Sequence, residues 1–154
     1  MDKLWAPWRI KYIKAKKQKG CIFCRAKRFP QKNLVVLESI YSLCLLNTFP
    51  YNNGHLMACP KRHTGKLDRL TQAESLDLLK MLDRAQKLLD KTLKPHGYNI
   101  GINLSRSAGA GITNHLHIHI VPRWEGDTNF MPSIYGTKVI SQSLEALYKR
   151  LKNA

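Results

Sequence analysis

Residues 115–122 read His115-Leu116-His117-Ile118-His119-Ile120-Val121-Pro122, and they are the most informative stretch of the chain. In an extended strand successive side chains point to opposite faces. A strand over 115–121 therefore places three imidazoles on one face and Leu116, Ile118 and Ile120 on the other. In a straight strand the outer two histidines stand about 13 Å apart, too far for all three to bind one ion directly.

Unequal chemical roles suit three histidines at this spacing. A neutral imidazole is nucleophilic near pH 7 and its phosphoramidate is labile, so a histidine can divide phosphoryl or nucleotidyl transfer into two displacements. We expect the central ring, His117, to attack while its neighbours orient, protonate or bind. A single histidine on a strand is usually a half-buried structural side chain, whereas three in register indicate a site.

The loop from Asn103 to Asn114, directly before this strand, supports the same interpretation. It contains Ala108-Gly109-Ala110-Gly111, and glycines let backbone N–H groups approach an anion closely. The same residues also form ordinary turns elsewhere. Beside the histidine strand they predict a phosphate cradle, whose donors would stabilise the charge that rises on the non-bridging oxygens during attack.

The rest of the chain shows the patterns of an α+β fold. Thr71 and Glu74 form a capping box that begins a long helix, and apolar residues then follow at helical spacing as far as Pro95. An apolar stripe from Leu144 to Leu151 predicts a short C-terminal helix. Short strands are predicted at Leu34–Leu37, Tyr41–Leu46, His55–Cys59, Tyr98–Leu104 and His115–Val121. Three strands come before the long helix and two after it, so strands and helices do not alternate along the chain. This order indicates a mainly antiparallel sheet.

Length and cysteine content limit the class of protein. The 154 residues suit one domain, 1–154. Because no stretch is long and apolar enough for a bilayer or a signal peptide, we expect a cytoplasmic protein without a membrane partner. Four cysteines should then stay reduced or bind metal. Cys21-x-x-Cys24 has metal-ligand spacing, but a tetrahedral site needs two more ligands; Cys44 and Cys59 lie in apolar strands and are expected in the core.

The charge of the chain is extreme and unevenly distributed. The formal net charge is +16, from 26 Lys and Arg against 10 Asp and Glu, which indicates a polyanionic ligand or surface. Eleven of the basic residues, with Asp2 as the one acidic residue, lie in residues 1–32. Residues 1–20 interleave aromatic side chains with lysines and predict a basic N-terminal arm, which either docks on the domain or binds nucleic acid.

The histidine strand and its glycine loop resemble those of the histidine-triad superfamily of nucleotide hydrolases and transferases. Further matching segments are Leu4-Trp5-Ala6-Pro7-Trp8-Arg9, Cys21-Ile22-Phe23-Cys24, Asn47, Gly54-His55 and Pro60-Lys61-Arg62-His63. The run from Pro122 to Pro132 is similar to the bacterial diadenosine tetraphosphate phosphorylase-like branch. The resemblance implies the histidine-triad fold, a five-stranded mainly antiparallel sheet with one long helix and a short C-terminal helix, and a homodimer formed through a shared sheet and the long helix.

The resemblance also implies roles for individual residues. His117 would be the nucleophile, His119 would contact the α-phosphate or leaving group, and His55 would support the triad through hydrogen bonds. Asn47 would bind ribose, and phosphate would be held by Asn103 with the backbone of Gly109, Ala110, Gly111 and Ile112. The family's reaction cleaves a nucleoside polyphosphate at the α-phosphate, and water or inorganic phosphate resolves the nucleotidyl-histidine. No organic cofactor is implied.

A structural zinc ion is a further implication. Positions His63 and His115 resemble zinc ligands of several bacterial triad proteins, and with Cys21 and Cys24 they would complete a four-ligand site; free buried thiols are the alternative. Departures from the family concern the phosphate loop, which lacks the usual glutamine, is one residue longer, and has Ser105 where relatives tend to have glycine. Trp124 would either stack on a base or brace the loop after the strand.

Three functions are compatible with these sequence features. The first is cleavage of dinucleoside polyphosphates such as diadenosine tetraphosphate by a phosphorylase or hydrolase. The second is hydrolysis of nucleoside phosphoramidates by the same histidine. The third is nucleotide or nucleic-acid binding through the basic arm. The triad with its phosphate loop favours the first.

Overall fold

The computed structural model describes residues 20–127, 140 and 142–154. The predicted arm, and the part of the Pro122–Pro132 run from residue 128 onward, lie outside the described residues. Within the described residues there are three α-helices: α1, Ile22–Arg28; α2, Gln72–Leu93; and α3, Leu144–Lys152. The five strands are β1, Val35–Glu38; β2, Ser42–Leu46; β3, Leu56–Pro60; β4, Gly97–Gly101; and β5, Ile118–Arg123. Among the described helices, none combines the length and apolar character that a membrane crossing requires.

The strands form one sheet in the order β1-β2-β3-β5-β4, and every neighbouring pair is antiparallel. The predicted α+β class, with a five-stranded antiparallel sheet, one long helix and a short C-terminal helix, is therefore confirmed. Within the sheet, His119 of β5 pairs with Met57 of β3 on one side and with Gly101 of β4 on the other. The loop that leaves Gly101 thus begins beside the histidine motif.

Helix α2 begins at the predicted capping box. The Thr71 hydroxyl accepts a hydrogen bond from the Glu74 amide at 3.2 Å, and the Glu74 carboxylate accepts one from the Thr71 amide at 2.9 Å. Arg62 donates twice to the same carboxylate, at 2.7 Å each, and this guanidinium holds the pKa of Glu74 down at about 2. The helix ends at Lys94, whose φ of 49° is left-handed, just before Pro95.

Different helices cover the two faces of the sheet. One face packs Leu46, Leu56 and Ile120 against the buried side of α2 and against α3. The other face packs Leu43, Leu45, Met57 and Cys59 against Phe23 and Ala26 of α1. Because His119 pairs with Met57, the two side chains share a face, and the triad lies on the side away from the long helix. Cys44 and Cys59 are buried in the core as predicted, and burial raises the pKa of Cys44 to about 12.

Two strand predictions were too long. Strand β5 begins at Ile118 and not at His115, because the three preceding residues are held by another segment: Leu116 N–H donates to the Thr64 carbonyl at 2.6 Å. Strand β4 ends at Gly101 and not at Leu104, where the chain turns into the glycine loop. The other three strands lie within one residue of their predicted bounds, and the short helix α1 was not predicted.

Candidate active site

The structure divides the histidine motif into a pair and a separate ring. His117 and His119 have ring centroids 4.9 Å apart in an edge-on arrangement. His55, which begins the segment into β3, lies against His119 with centroids 5.1 Å apart. His115 instead turns toward His63 and the two cysteines of residues 21–24. All three rings of the motif are buried.

The protonation of His117 follows from one hydrogen bond. Its Nδ1 lies 2.9 Å from the carbonyl oxygen of His115, and a carbonyl oxygen only accepts. Nδ1 therefore carries the hydrogen, and in the neutral ring Nε2 holds the free lone pair. This is the tautomer that a nucleophilic imidazole needs.

In His119 two successive hydrogen bonds place the hydrogen on Nε2, whereas His117 carries it on Nδ1. The Tyr51 backbone N–H donates to His55 Nδ1 at 3.0 Å, so the hydrogen of His55 lies on Nε2. That Nε2 is 2.9 Å from His119 Nδ1, which must accept, and His119 then carries its hydrogen on Nε2. Burial lowers the pKa of His119 to about 4, with a further contribution from His117. At neutral pH the ring is an uncharged N–H donor.

Asn47 joins this network at its far end. Its side-chain oxygen accepts from the Phe49 N–H at 2.9 Å, which orients the amide so that Nδ2 lies 3.3 Å from His55 Nδ1. The side chain is buried, with an exposed fraction of 8%. The predicted ribose ligand and the predicted supporting histidine are thus brought into contact.

The predicted phosphate loop is closed by its own backbone. Gly109 N–H donates to the Arg106 carbonyl at 2.9 Å and Ala110 N–H donates to that of Ser105 at 3.2 Å, so two of the four predicted amides are already engaged. Within the described ranges, the amides of Gly111 and Ile112 have no acceptor. The Asn103 amide lies beside Gly109, with Nδ2 3.8 Å from the position that a Cβ there would occupy.

Four side chains predicted as metal ligands converge beside the pair. Their ligand atoms, from Cys21, Cys24, His63 and His115, all lie within 4.8 Å of one another. His115 Nδ1 is 3.1 Å from Cys21 Sγ, 3.7 Å from Cys24 Sγ and 3.2 Å from His63 Nδ1. In a tetrahedral zinc site with these donors the ligand atoms lie roughly 3.3–3.8 Å apart.

The tautomer of His115 also fits a metal ligand. Its Nε2 lies 2.8 Å from the Pro60 carbonyl and must donate, so Nδ1, which faces the thiols, holds the lone pair. A second-sphere hydrogen bond of this kind is how metal-binding histidines are usually held. The donor set and its spacing therefore fit zinc.

Comparison with known proteins places these features in a family. The HIT domain family matches residues 28–126 of the chain. The chain belongs to the HIT, or histidine triad, family. An AP-4-A phosphorylase of Mycobacterium tuberculosis is 39% identical over 154 residues, which cover 94% of this chain and 79% of the relative.

Two solved HIT proteins share the fold. A hypothetical histidine triad nucleotide-binding protein of Sulfolobus tokodaii is 27% identical, with a TM-score of 0.71 over 86% of this chain and 90% of its own. A Zn-bound histidine triad family protein of Mycobacterium smegmatis is 23% identical, with a TM-score of 0.70 over 87% and 91% of the two chains. The second shows likeness of fold alone.

The unusual Ser105 of this HIT chain occupies a left-handed backbone position. Its φ is 72°, a region that favours glycine because a Cβ crowds the following carbonyl. A glycine at this position would adopt the same backbone conformation without that crowding. The serine hydroxyl lies 3.1 Å from that of Ser107 at the exposed tip of the loop.

The structure places Trp124 away from His117. It follows β5, which rises roughly 16 Å from Ile118 to Arg123 and so carries the chain away from His117. Its indole N–H donates to the Lys94 carbonyl at 3.2 Å. Within one chain this contact matches the bracing role, and base stacking by Trp124 stays a prediction.

Two aromatic residues that the sequence did not single out touch the triad. Phe23 packs on His117 with ring centroids 4.9 Å apart, and Tyr51 packs on His55 and His119 at 4.5 and 5.5 Å. Phe23 stands between the two cysteines of the metal-ligand pair, and Tyr51 stands in the turn before β3. Their proximity to conspicuous motif residues was the only signal available in the sequence.

Proposed function

We propose that this HIT protein cleaves dinucleoside polyphosphates at the α-phosphate through a nucleotidyl intermediate on His117, which inorganic phosphate or water then resolves. The observation that carries the proposal is the forced tautomer of His117, whose Nδ1 donates to the His115 carbonyl and leaves the Nε2 lone pair for attack. The similarity to an AP-4-A phosphorylase supports the substrate class.

The site residues divide the reaction between them. The lone pair of His117 Nε2 forms a bond to the α-phosphorus while the bond to the bridging oxygen breaks, and the leaving polyphosphate takes that electron pair. The amides of Gly111 and Ile112, with the loop residues Asn103, Gly109 and Ala110 around them, stabilise the non-bridging oxygens. His119 Nε2–H donates a hydrogen bond to a phosphate oxygen, and Asn47 holds the ribose.

Release of the nucleotide repeats the displacement with a new acceptor. An oxygen of inorganic phosphate or water attacks the phosphorus, and the nitrogen–phosphorus bond returns its electrons to His117. With phosphate, diadenosine tetraphosphate yields ADP and ATP; with water, it yields AMP and ATP. Neutral His119 suits both steps because it donates a hydrogen bond without adding a positive charge beside the nucleophile.

A structural zinc ion on Cys21, Cys24, His63 and His115 is part of the proposal. When bound, the ion would supply a rigid cross-link and no Lewis-acid step. It would tie α1 to the segment before His117, so that the His115 carbonyl stays in place for the nucleophile. The spacing of the ligand atoms and the lone pair of His115 Nδ1 support this assignment.

We also propose a cytoplasmic homodimer in which residues 1–154 form one HIT domain. Strand β4 lies at the edge of the sheet, and Ile100 in this strand and Leu104 after its end are exposed. Leu76 and Leu79 on α2 are exposed as well, at 53% and 63%. A shared sheet and a helix contact would cover these apolar side chains.

The test compares two histidine variants on diadenosine tetraphosphate. His117→Ala should lose at least about a thousand-fold in turnover because it removes the nucleophile. His96→Ala is the matched control, since that ring is exposed and accepts a hydrogen bond from the Glu125 N–H outside the site. Product analysis with and without phosphate identifies the acceptor. Unchanged activity of His117→Ala would refute the proposal.

A further inference from the structure

Aromatic rings bracket the triad on two sides, and they differ in exposure. The row of ring contacts runs from Phe23 to His117, His119 and Tyr51, with centroid separations of 4.9, 4.9 and 5.5 Å. Phe23 has an exposed fraction of 1%, whereas Tyr51 has one of 49%. A ligand at the triad can therefore reach the ring of Tyr51 but not that of Phe23.

The position of Tyr51 is set by its backbone, which leaves the ring available. Its N–H donates to His55 Nδ1 at 3.0 Å, so the residue is fixed against the triad. The ring contacts His55 and His119, and Tyr51 belongs to neither core cluster. Half of a large apolar side chain thus faces solvent beside the predicted phosphate and ribose ligands.

A planar apolar surface at this place suits a nucleobase. Aromatic side chains stack on the bases of single-stranded nucleic acids, and replacing such a ring with alanine weakens binding by roughly 5- to 150-fold. Asn47, whose amide lies 3.3 Å from His55 Nδ1, would hold a ribose next to the same ring. Each half of a dinucleoside polyphosphate carries one base.

We infer that Tyr51 is a specificity-determining residue that stacks on a nucleobase of the substrate. The inference rests on the proposed function, and it adds a contact that acts on the base and not on the phosphate. Because purines stack more strongly than pyrimidines, the ring would also give the enzyme a preference for purine substrates. The stacked base belongs either to the transferred nucleotide or to the leaving nucleotide, and the set of test substrates distinguishes these two cases.

The experiment measures kcat/KM of full-length Tyr51→Leu on three substrates: diadenosine tetraphosphate, diuridine tetraphosphate and adenosine tetraphosphate. The last has the same α-phosphate and chain but no second base. We expect about a ten-fold loss on diadenosine tetraphosphate, a smaller loss on the uridine compound, and retention of activity in Tyr51→Phe. If Tyr51→Leu also lowers kcat/KM on adenosine tetraphosphate, the stacked base belongs to the transferred nucleotide. If kcat/KM on that compound is unchanged, the stacked base belongs to the leaving nucleotide.

Tyr41→Leu is the matched control. Tyr41 is 44% exposed, close to the 49% of Tyr51, but it precedes β2 whereas the turn with Tyr51 follows that strand. We expect no change in this variant. An equal loss of Tyr51→Leu on all three substrates, with the purine preference intact, would overturn the inference and assign the ring to histidine packing alone. No loss at all would also overturn it. A wild type that cleaves none of these compounds would instead refute the proposed function.

Discussion

His115 and His119 are each two residues from His117 in the sequence, yet their rings differ in the nitrogen that stays available. That nitrogen carries a lone pair in His115 and a hydrogen in His119. His115 donates from Nε2 to the Pro60 carbonyl and presents an unprotonated Nδ1 to the cysteines. His119 accepts at Nδ1 from His55 and keeps its hydrogen on Nε2. The same type of side chain thus offers a lone pair to the proposed metal site at one end of the motif and an N–H donor at the other.

The difference shows that each ring's hydrogen-bond partner within the protein determines the state of its other nitrogen. That second nitrogen carries either a lone pair, as in His115, or a hydrogen, as in His119. A carbonyl oxygen forces the adjacent nitrogen to donate, and a backbone N–H forces it to accept. His117 lies between the two regions and depends on both, because its Nδ1 donates to the His115 carbonyl while its ring packs on His119. Breaking each region separately should therefore have distinct consequences.

The largest effect is expected at the His115 end of the motif, where the proposed metal ligands lie. Cys24→Ser removes one of the four proposed zinc ligands, so we expect the purified variant to lack zinc and its unfolding free energy to fall by about 4 kcal/mol, as in proteins that lose a structural metal. Metal analysis and thermal unfolding measure the two quantities. A chelator should lower the Tm of the wild type toward that of the variant and leave the variant unchanged.

Cys44→Ala is the control for that variant. Cys44 is fully buried in the core on the other face of the sheet, and it should keep the zinc content of the wild type. Equal zinc content in Cys24→Ser and in the wild type would show that the cysteine pair is not the site. It would leave the assignment of His117 untouched.

An intermediate effect is expected at the His119 end of the motif, where the ring presents an N–H donor. His55→Ala removes the donor to His119 Nδ1, so His119 loses the hydrogen bond that holds its hydrogen on Nε2. We expect kcat to fall by about 10- to 100-fold with little change in KM. Nitrogen chemical shifts of His119 would report the altered tautomer. Normal kcat with a mixed tautomer would show that this relay has no part in catalysis.

The smallest effect is expected in the loop that precedes the histidine motif. Ser105→Gly relieves a left-handed φ of 72°, and it should stabilise the protein by at most about 1 kcal/mol because glycine also makes the unfolded chain more flexible. Chemical denaturation would detect the change. A destabilised variant would indicate that the Ser105–Ser107 hydroxyl contact outweighs the backbone strain.

Prediction from the sequence worked best where the signal was local. The capping box at Thr71 followed from side-chain chemistry alone. The buried side of α2 did not follow from leucine spacing, because Leu76 and Leu79 are exposed whereas Leu78, Met81 and Ala85 are buried. Strand bounds were less accurate at the histidine motif, since alternation continues through residues 115–117 although the 60–64 segment holds them outside the ladder. Helix α1 has seven residues and no side-chain cap, so it carried little local signal.

The amino-acid sequence by itself determined the α+β class, the apolar and imidazole faces of the motif, and the candidate ligands Cys21 and Cys24, because these depend on residue type and short-range periodicity. Only the tertiary structure decided which nitrogen of each imidazole carries the hydrogen. Those hydrogens are set by partners far away in the chain: the Pro60 carbonyl is 55 residues from His115, and His55 is 64 residues from His119. Such contacts exist only once the antiparallel sheet has brought β3 and β5 together.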